Sequence, residues 1–420
     1  MQQIKKHVAI GGAIIMAACW PLAVGQIAQN VLTDGVALLG NDKISAEVIE
    51  YQRGYFSAQA KTRFSVTDPA LKGQLEQDGL PTQIELTHQI DHGLLSISAE
   101  TETLVNPLLA FRLDTQTKLN GNTAFDFHAE PIQFKDAAGA ELNIDHYNGQ
   151  GQLTLGGVSE FRFEVPSMEV KFANGELLEV DKLVLKGNGQ KQQGFWLGKQ
   201  SIRVQGVELK THDPAQALSL EKMRYTISAH QDEAGEKLTS KQKILLTNLT
   251  MANAQVDSAR FDFSVRDMNR GAFSGLMALY QQNQVLNDEQ IAEAIPLLDT
   301  LVESGLTVSL DQLVVKLDKG TMNIDWQLGI PAGLKNVSQN PTMILNQLTG
   351  HLTANTSNEL LEVYPTLQEG LDELMILEFA STSPSGYQLG AKLENGMVKF
   401  ETGKEVALMA LFLPLLANGQ

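Results

Sequence analysis

The chain has 420 residues, 43% of them hydrophobic, which is ample for a packed core and, on length alone, for two or three domains. Its 32 basic residues against 49 acidic ones give a net charge of -17, which argues against a nucleic-acid or anionic-membrane footprint over the main body, because phosphate binding needs concentrated positive charge. A single cysteine, Cys19, excludes an internal disulfide framework and a multi-cysteine metal site.

Lys5 and Lys6 precede the apolar stretch VAIGGAIIMAACWPLAVG, residues 8–25, and the next charged residue is Asp34. At about 1.5 Å per residue this stretch is roughly 27 Å long as a helix, just short of a ~30 Å hydrocarbon core. Basic residues ahead of it predict that this end stays in the cytoplasm and that the chain beyond the stretch is translocated. Three fates are open. It is an uncleaved anchor, a signal peptide cleaved near Ala23 and Gly25, or a lipoprotein signal in which Met16-Ala17-Ala18-Cys19 stands for the lipobox.

From about residue 44 to 267 the pattern is mainly short alternating strands with polar, Gly- or Asn-containing breaks, which predicts extended antiparallel sheet. In YQRGYFSAQA, residues 51–60, the alternation changes phase. Ile49, Tyr51 and Tyr55 place large groups at odd positions, whereas Phe56, Ala58, Ala60 and Phe64 place them at even ones. A one-residue bulge at Gly54 is the expectation, with Arg53 re-aimed by the bend.

Further along, Ala272, Phe273, Leu276, Met277 and Tyr280 recur with helical spacing, as do Ile291, Ala294, Ile295, Leu298 and Val302 after an Asn287/Gln290 capping pair. A third stripe runs from Leu360 to Met375. These helices are expected to cover the one-faced sheet. Pro296 and Pro365 are expected to kink or split their helices. Two hairpins are predicted with explicit register. A Lys319-Gly320 turn sets Leu317 against Met322, Val315 against Ile324 and Leu313 against Trp326, and an Asn395-Gly396 turn sets Leu393 against Val398 and Ala391 against Phe400. VALMALFLPLL, residues 406–416, is too short to span a bilayer and is expected to pack.

Histidines head the candidates for chemistry. His88 and His92 in ELTHQIDHGLL are four apart; on a strand they share a face but lie roughly 13 Å apart, too far for one metal ion, with Asp91 on the other face. A structural role is the plain reading for both, and a catalytic or metal role the minor one. No HExxH, phosphate-loop, G-x-S-x-G or EF-hand pattern occurs, and the glycines of KGNGQKQQGFWLGK fit turns. Catalytic, cofactor and metal residues are therefore not assigned.

The apolar N-terminal segment, Tyr51-Gln52-Arg53-Gly54-Tyr55-Phe56-Ser57 and Ile90-Asp91-His92-Gly93 together resemble the YdgA-like (DUF945) family of bacterial envelope proteins. Leu94 stands where that family usually has proline after His-Gly. The resemblance implies an inner-membrane-associated periplasmic protein of a Gram-negative bacterium and supplies no catalytic residues. Tyr51, Arg53, Gly54, Tyr55, Phe56, His92 and Gly93 then read as structural punctuation.

The expected fold is α+β: β-rich extended antiparallel sheet with several helices packed on it in the C-terminal half, preceded by an N-terminal hydrophobic helix. Residues 1–30 are expected to form the cytoplasmic tip and hydrophobic segment, 31–267 a β-rich periplasmic region, and 268–420 a mixed helix and hairpin region. The leading functional expectation is a non-enzymatic envelope protein that binds another envelope protein or itself. A lipid or apolar-ligand carrier is the alternative, and an envelope hydrolase built on His88 or His92 the third.

Overall fold

The computed structural model describes residues 24–30, 32–37, 39–41, 43–93, 95–103, 107–192, 195–251, 254–282, 287–340 and 342–411. Most of the apolar segment 8–25, including Cys19, lies outside the described residues, as do residues 412–416 of the C-terminal apolar stretch. Among the described residues no helix is long and apolar enough to cross a membrane. The fold is β-rich, a large antiparallel sheet with few helices. Two compact units divide the chain: residues 1–186 with 209–212, and residues 187–208 with 213–420.

The first unit is a meander. Its strands are β1 (Ile44–Arg53), β2 (Ser57–Val66), β3 (Gln83–His92), β4 (Ser96–Thr103), β5 (Phe111–Lys118), β6 (Thr123–Ala129), β7 (Ile132–Lys135), β8 (Glu141–Ile144), β9 (Tyr147–Leu153) and β10 (Val158–Lys171). β1 to β6 pair antiparallel in chain order. The pairs Thr123–Leu153 and Ile132–Ile144 belong to one register, so β6 and β7 form a single long strand against β9 and β8. It is interrupted at Glu130-Pro131, where proline has no N–H for the ladder. β8 and β9 in turn share one register against β10. Connections therefore alternate between two ends of this sheet.

The phase change at Gly54 is a chain reversal and not a bulge. β1 ends at Arg53, β2 begins at Ser57, and Gly54 N–H donates to the Ser57 carbonyl at 2.7 Å. Tyr51 pairs with Ala60 and Arg53 with Ala58. Odd positions on one arm thus face even positions on the other, and the two arms of one hairpin mimic a face switch. The bulge lies earlier, between Val48 and Glu50.

The second unit holds the end of β11 (Leu177–Gln192), then β12 (Phe195–Val204), most of β13 (Gly206–Lys210), β14 (Leu218–Gln231), β15 (Lys237–Met251), β16 (Ala254–Asn269), β17 (Leu306–Leu317), β18 (Gly320–Ile330), β19 (Thr349–Ser357), β20 (Ser381–Ser383), β21 (Gly386–Glu394), β22 (Met397–Phe400) and β23 (Glu405–Ala407). β14 to β19 again pair in chain order, followed by β21, β22 and β23. Helices Arg270–Gln282 and Asp288–Glu303 connect β16 to β17, and Asn358–Val363 and Pro365–Ile376 connect β19 to β20. Asn287 and Gln290 form the capping box that opens the second helix, and Pro365 starts the fourth in a first-turn position that proline tolerates.

The Asn395-Gly396 hairpin has the predicted register, with both turn residues at positive φ as a type I′ turn requires. The other hairpin is corrected by two residues. Asp318-Lys319 form the turn, so Leu317 faces Gly320, Val315 faces Met322 and Leu313 faces Ile324; a bulge then places Leu310, and not Leu313, against Trp326. The connection is two residues long, and the longer loop expected would have shifted every cross-strand pair by two. The stripe on Asp288–Glu303 also departs from expectation: Ala294 is buried, but Ile291, Ile295 and Leu298 are exposed.

Candidate functional site

The motif residues of the first unit meet at one end of its sheet, around the entering chain. Residues 24–30 and 32–37 are helical. Ala28 joins Ala58, Ala60 and Ile90 in a buried cluster, with Leu32, Tyr51, Ile97 and Ala99 packed against it. Arg53 donates from Nη1 to the Gln26 side chain. Gly25 lies on the His92 ring so closely that an added Cβ would stand 2.7 Å from His92 Cε1. Small residues on both surfaces let helix and sheet approach, and Tyr51, Arg53 and His92 close the seam.

His92 is 4% exposed, and no well-formed hydrogen bond reaches either ring nitrogen. Burial lowers its pKa against the opposing influence of the Tyr55 backbone and Asp91. His88, on the same face of β3, is differently placed. Its Nε2 lies 2.9 Å from Thr62 Oγ1 and its Nδ1 2.8 Å from Thr101 Oγ1, so cross-strand threonines engage both nitrogens. Burial pushes its pKa down to about 4. A neutral ring between two hydroxyls, with no carboxylate to orient it, is the arrangement of a satisfied core histidine. The Tyr51 hydroxyl is buried without a partner, and desolvation raises its pKa.

Gly54 and Gly93 occupy equivalent turns. In each, an added Cβ would collide with the carbonyl of the serine three residues on, at 2.9 Å from Ser57 O and 2.6 Å from Ser96 O. The turns are cross-linked, because His92 N–H donates to the Phe56 carbonyl at 2.6 Å. Tyr55 and Phe56 stack edge to face at the exposed tip, with centroids 4.5 Å apart. The motif residues thus gather at one end of β1 to β3, with His88 mid-strand on the same face, and sequence reasoning missed Gly25, Ala28, Thr62 and Thr101 beside them.

A polar ladder crosses β16 and β17 in the second unit. Ser264 Oγ lies 2.8 Å from Ser309 Oγ, which donates to Asp311 at 2.7 Å, and Asp262 is bracketed by Arg260 and Lys243. The two serines are 0% and 2% exposed, so no substrate reaches them. Among the described residues no group of three or more His, Cys, Asp or Glu is placed to hold a metal ion.

A cavity of this unit lies elsewhere. It measures about 420 Å³, inside the ~300–1,000 Å³ range of small-molecule sites. Two cross-strand rows form its floor, Met322–Thr356–Tyr387 and Ile324–Ala354–Leu389. Leu361, Leu367, Leu371 and Leu374 form its helical wall. Thr356 Oγ1 is buried without a partner, while Tyr387 Oη accepts from Gln368 Nε2 at 3.1 Å. Gly370 also borders the space, and nothing lies within 4 Å of where its Cβ would be. The arrangement offers an apolar volume with one unsatisfied hydroxyl in its floor.

Neither a curated protein nor a solved structure matches the chain at a significant level. The sequence model described as "Bacterial protein of unknown function (DUF945)" matches residues 4–375, a span that takes in the Tyr51–Ser57 and Ile90–Gly93 seam and the helical wall of the cavity. The chain therefore belongs to this bacterial family, DUF945.

Proposed function

We propose that the protein is a membrane-tethered, periplasmic binding protein of a Gram-negative envelope, working without turnover, and that its second unit holds an apolar ligand of the lipid class. The apolar segment 8–25 is the tether in this reading, and the helices of the second half are the cover of its sheet. The observation that carries the proposal is the cavity of about 420 Å³ beneath Pro365–Ile376, whose lining is apolar except for a few groups that include the unpaired Thr356 hydroxyl. An acyl chain fits the leucine-lined space, and a carboxyl or ester oxygen at its end supplies the partner that Thr356 lacks.

Native mass spectrometry and organic extraction of the full chain, purified from membranes, test this directly. Lipid is expected to accompany the wild type and to be lost from Leu371→Trp, in which the indole occupies the space. A wild-type protein that carries no lipid and shows no saturable response to a fluorescent long-chain fatty acid would sink the idea.

A second reading, association with an envelope protein or with another copy, draws on the exposed stripe Ile291, Ile295 and Leu298 of helix Asp288–Glu303. Crosslinking in intact cells distinguishes it. Leu298→Asp is expected to abolish crosslinked species if this stripe is the contact.

A further inference from the structure

The hairpin turns at one end of the first unit have a common chemistry. Because β1 to β10 form a meander, the turns at residues 54–56, 93–95, 119–122 and 154–157 all fall at the same end. Their sequences contain no charged residue, in a chain of net charge -17. The connections at the opposite end include Asp68, Lys72, Glu76, Asp78 and Asp136.

Each of the four turns presents or adjoins large exposed apolar groups: Tyr55 and Phe56, Leu95, Leu119, and Leu155, which is 80% exposed. Surface apolar residues scattered singly need no explanation. These are aligned along one rim, and two pairs of neighbouring tips touch. The His92 N–H to Phe56 carbonyl bond joins the first two, and Leu155 lies on Gly121, where an added Cβ would meet its Cγ at 2.4 Å.

The same rim is where the chain enters. Gly25 packs on His92 and Gln26 accepts from Arg53, whereas Ala28 lies deeper, on Ala58, Ala60 and Ile90. The described helical residues therefore run from the rim inward along the sheet. The uncharged segment that begins at Val8 is continuous with this start, with no polar spacer before Gly25.

We infer that this rim is a bilayer-contacting surface: the tips carrying Tyr55, Phe56, Leu95, Leu119 and Leu155 sit in the interfacial layer of the membrane into which the preceding segment inserts. The inference rests on the tether half of the function proposed above. A membrane-inserted segment with no charged residue between it and Gly25 would hold the nearest end of the body at the membrane surface. Aromatic and aliphatic side chains on uncharged turns are the groups that the interface accepts without a charge-desolvation penalty. Trp20, at the outer end of the apolar segment in sequence, belongs to the same class of interfacial anchor. Contact through uncharged tips also reconciles membrane binding with an acidic body, since it needs no attraction to anionic headgroups.

Fluorescence quenching in vesicles tests it. In full-length Cys19→Ser protein, single cysteines at Leu95, Leu155, Ala138 and Ile14 are labelled with an environment-sensitive dye and reconstituted into phosphatidylcholine–phosphatidylglycerol vesicles. The vesicles carry spin-labelled lipids at shallow or deep positions. Leu95, Leu155 and Ala138 are exposed, so the label perturbs little. Several-fold stronger shallow quenching is expected at 95 and 155 than at 138, with deep quenching at 14. Deep quenching at 14 with positions 95 and 155 no different from 138 would overturn the rim while leaving the tether standing. No quenching at 14 would remove the tether and the rim together.

Discussion

The helical residues 24–30 and 32–37 and the helix Pro365–Ile376 each lie against strands of their own unit, and they meet them with opposite kinds of side chain. The first brings Ala28 to Ala58 and Ala60 and Gly25 to the His92 ring, so the backbones approach and the seam is closed. The second brings Leu367, Leu371 and Leu374 toward Met322, Ile324 and Leu389, with Gly370 and Ala354 among them, and about 420 Å³ stays open. Small residues on both surfaces exclude a ligand. Long side chains hold two surfaces apart, and glycine or alanine between them leaves the room. The two surfaces differ in what they can bind because of side-chain length at a few positions, more than because of any difference in topology.

Protons are expected to break the closed seam most severely. His88 has a folded-state pKa of about 4 against roughly 6.5 in an unfolded chain, so its burial favours the neutral ring. A base with a depressed pKa contributes stability that is fully present above pH ~6.5 and is lost as pH falls toward 4; the shift corresponds to about 3 kcal/mol. Hydrogen-exchange protection of the β2 to β4 amides, corrected for intrinsic rates, should fall across this window in the wild type and much less in His88→Asn. Protection unchanged between pH 7 and pH 4 would mean that the ring is not sealed between Thr62 and Thr101.

A smaller break comes from one methyl group. Gly25→Ala sets a Cβ about 2.7 Å from a buried imidazole carbon, and overpacking of this kind costs about 1–3 kcal/mol. Urea unfolding followed at the first unit should show the loss, and truncating the obstacle with His92→Ala should restore part of it in the double variant. Equal stability of Gly25→Ala and wild type would show that the helix can lift from the sheet at no cost, which the closed seam forbids.

How much of the molecule could be read from the sequence depends on how local the causes are. The Asn395-Gly396 register and the Asn287/Gln290 cap were legible because turn and cap chemistry is decided within four residues. His88 and His92 were placed correctly on one strand face for the same reason, by period-2 alternation. Their surroundings were not legible. Thr62 and Thr101 look like any strand threonines until pairing with β2 and β4 sets them beside His88. The Gly54 misreading has a similar origin, since a tight hairpin and a bulge both reverse the apparent phase and differ only in which residues pair. The cavity left no trace at all. Thr356 and Gly370 reveal it only when β19 and a helix are brought together, and Gly370 alone reads as a weak helix former.

That weakness gives the comparison its mildest and most pointed test. At Gly25 an added methyl meets a ring; at Gly370 it meets nothing within 4 Å. Gly370→Ala therefore gains helix propensity without a clash and should stabilise the second unit by up to about 1 kcal/mol. Thermal unfolding of the two single variants should move in opposite directions, down for Gly25→Ala and up for Gly370→Ala. Extending the series to Gly370→Leu separates stability from binding. Its larger side chain projects into the space beside Leu367 and Leu374, so fatty-acid affinity should drop while the gain in stability is kept. A Gly370→Leu protein that binds as well as wild type would place the ligand outside this cavity, and a destabilised Gly370→Ala would show that the space is closed in solution.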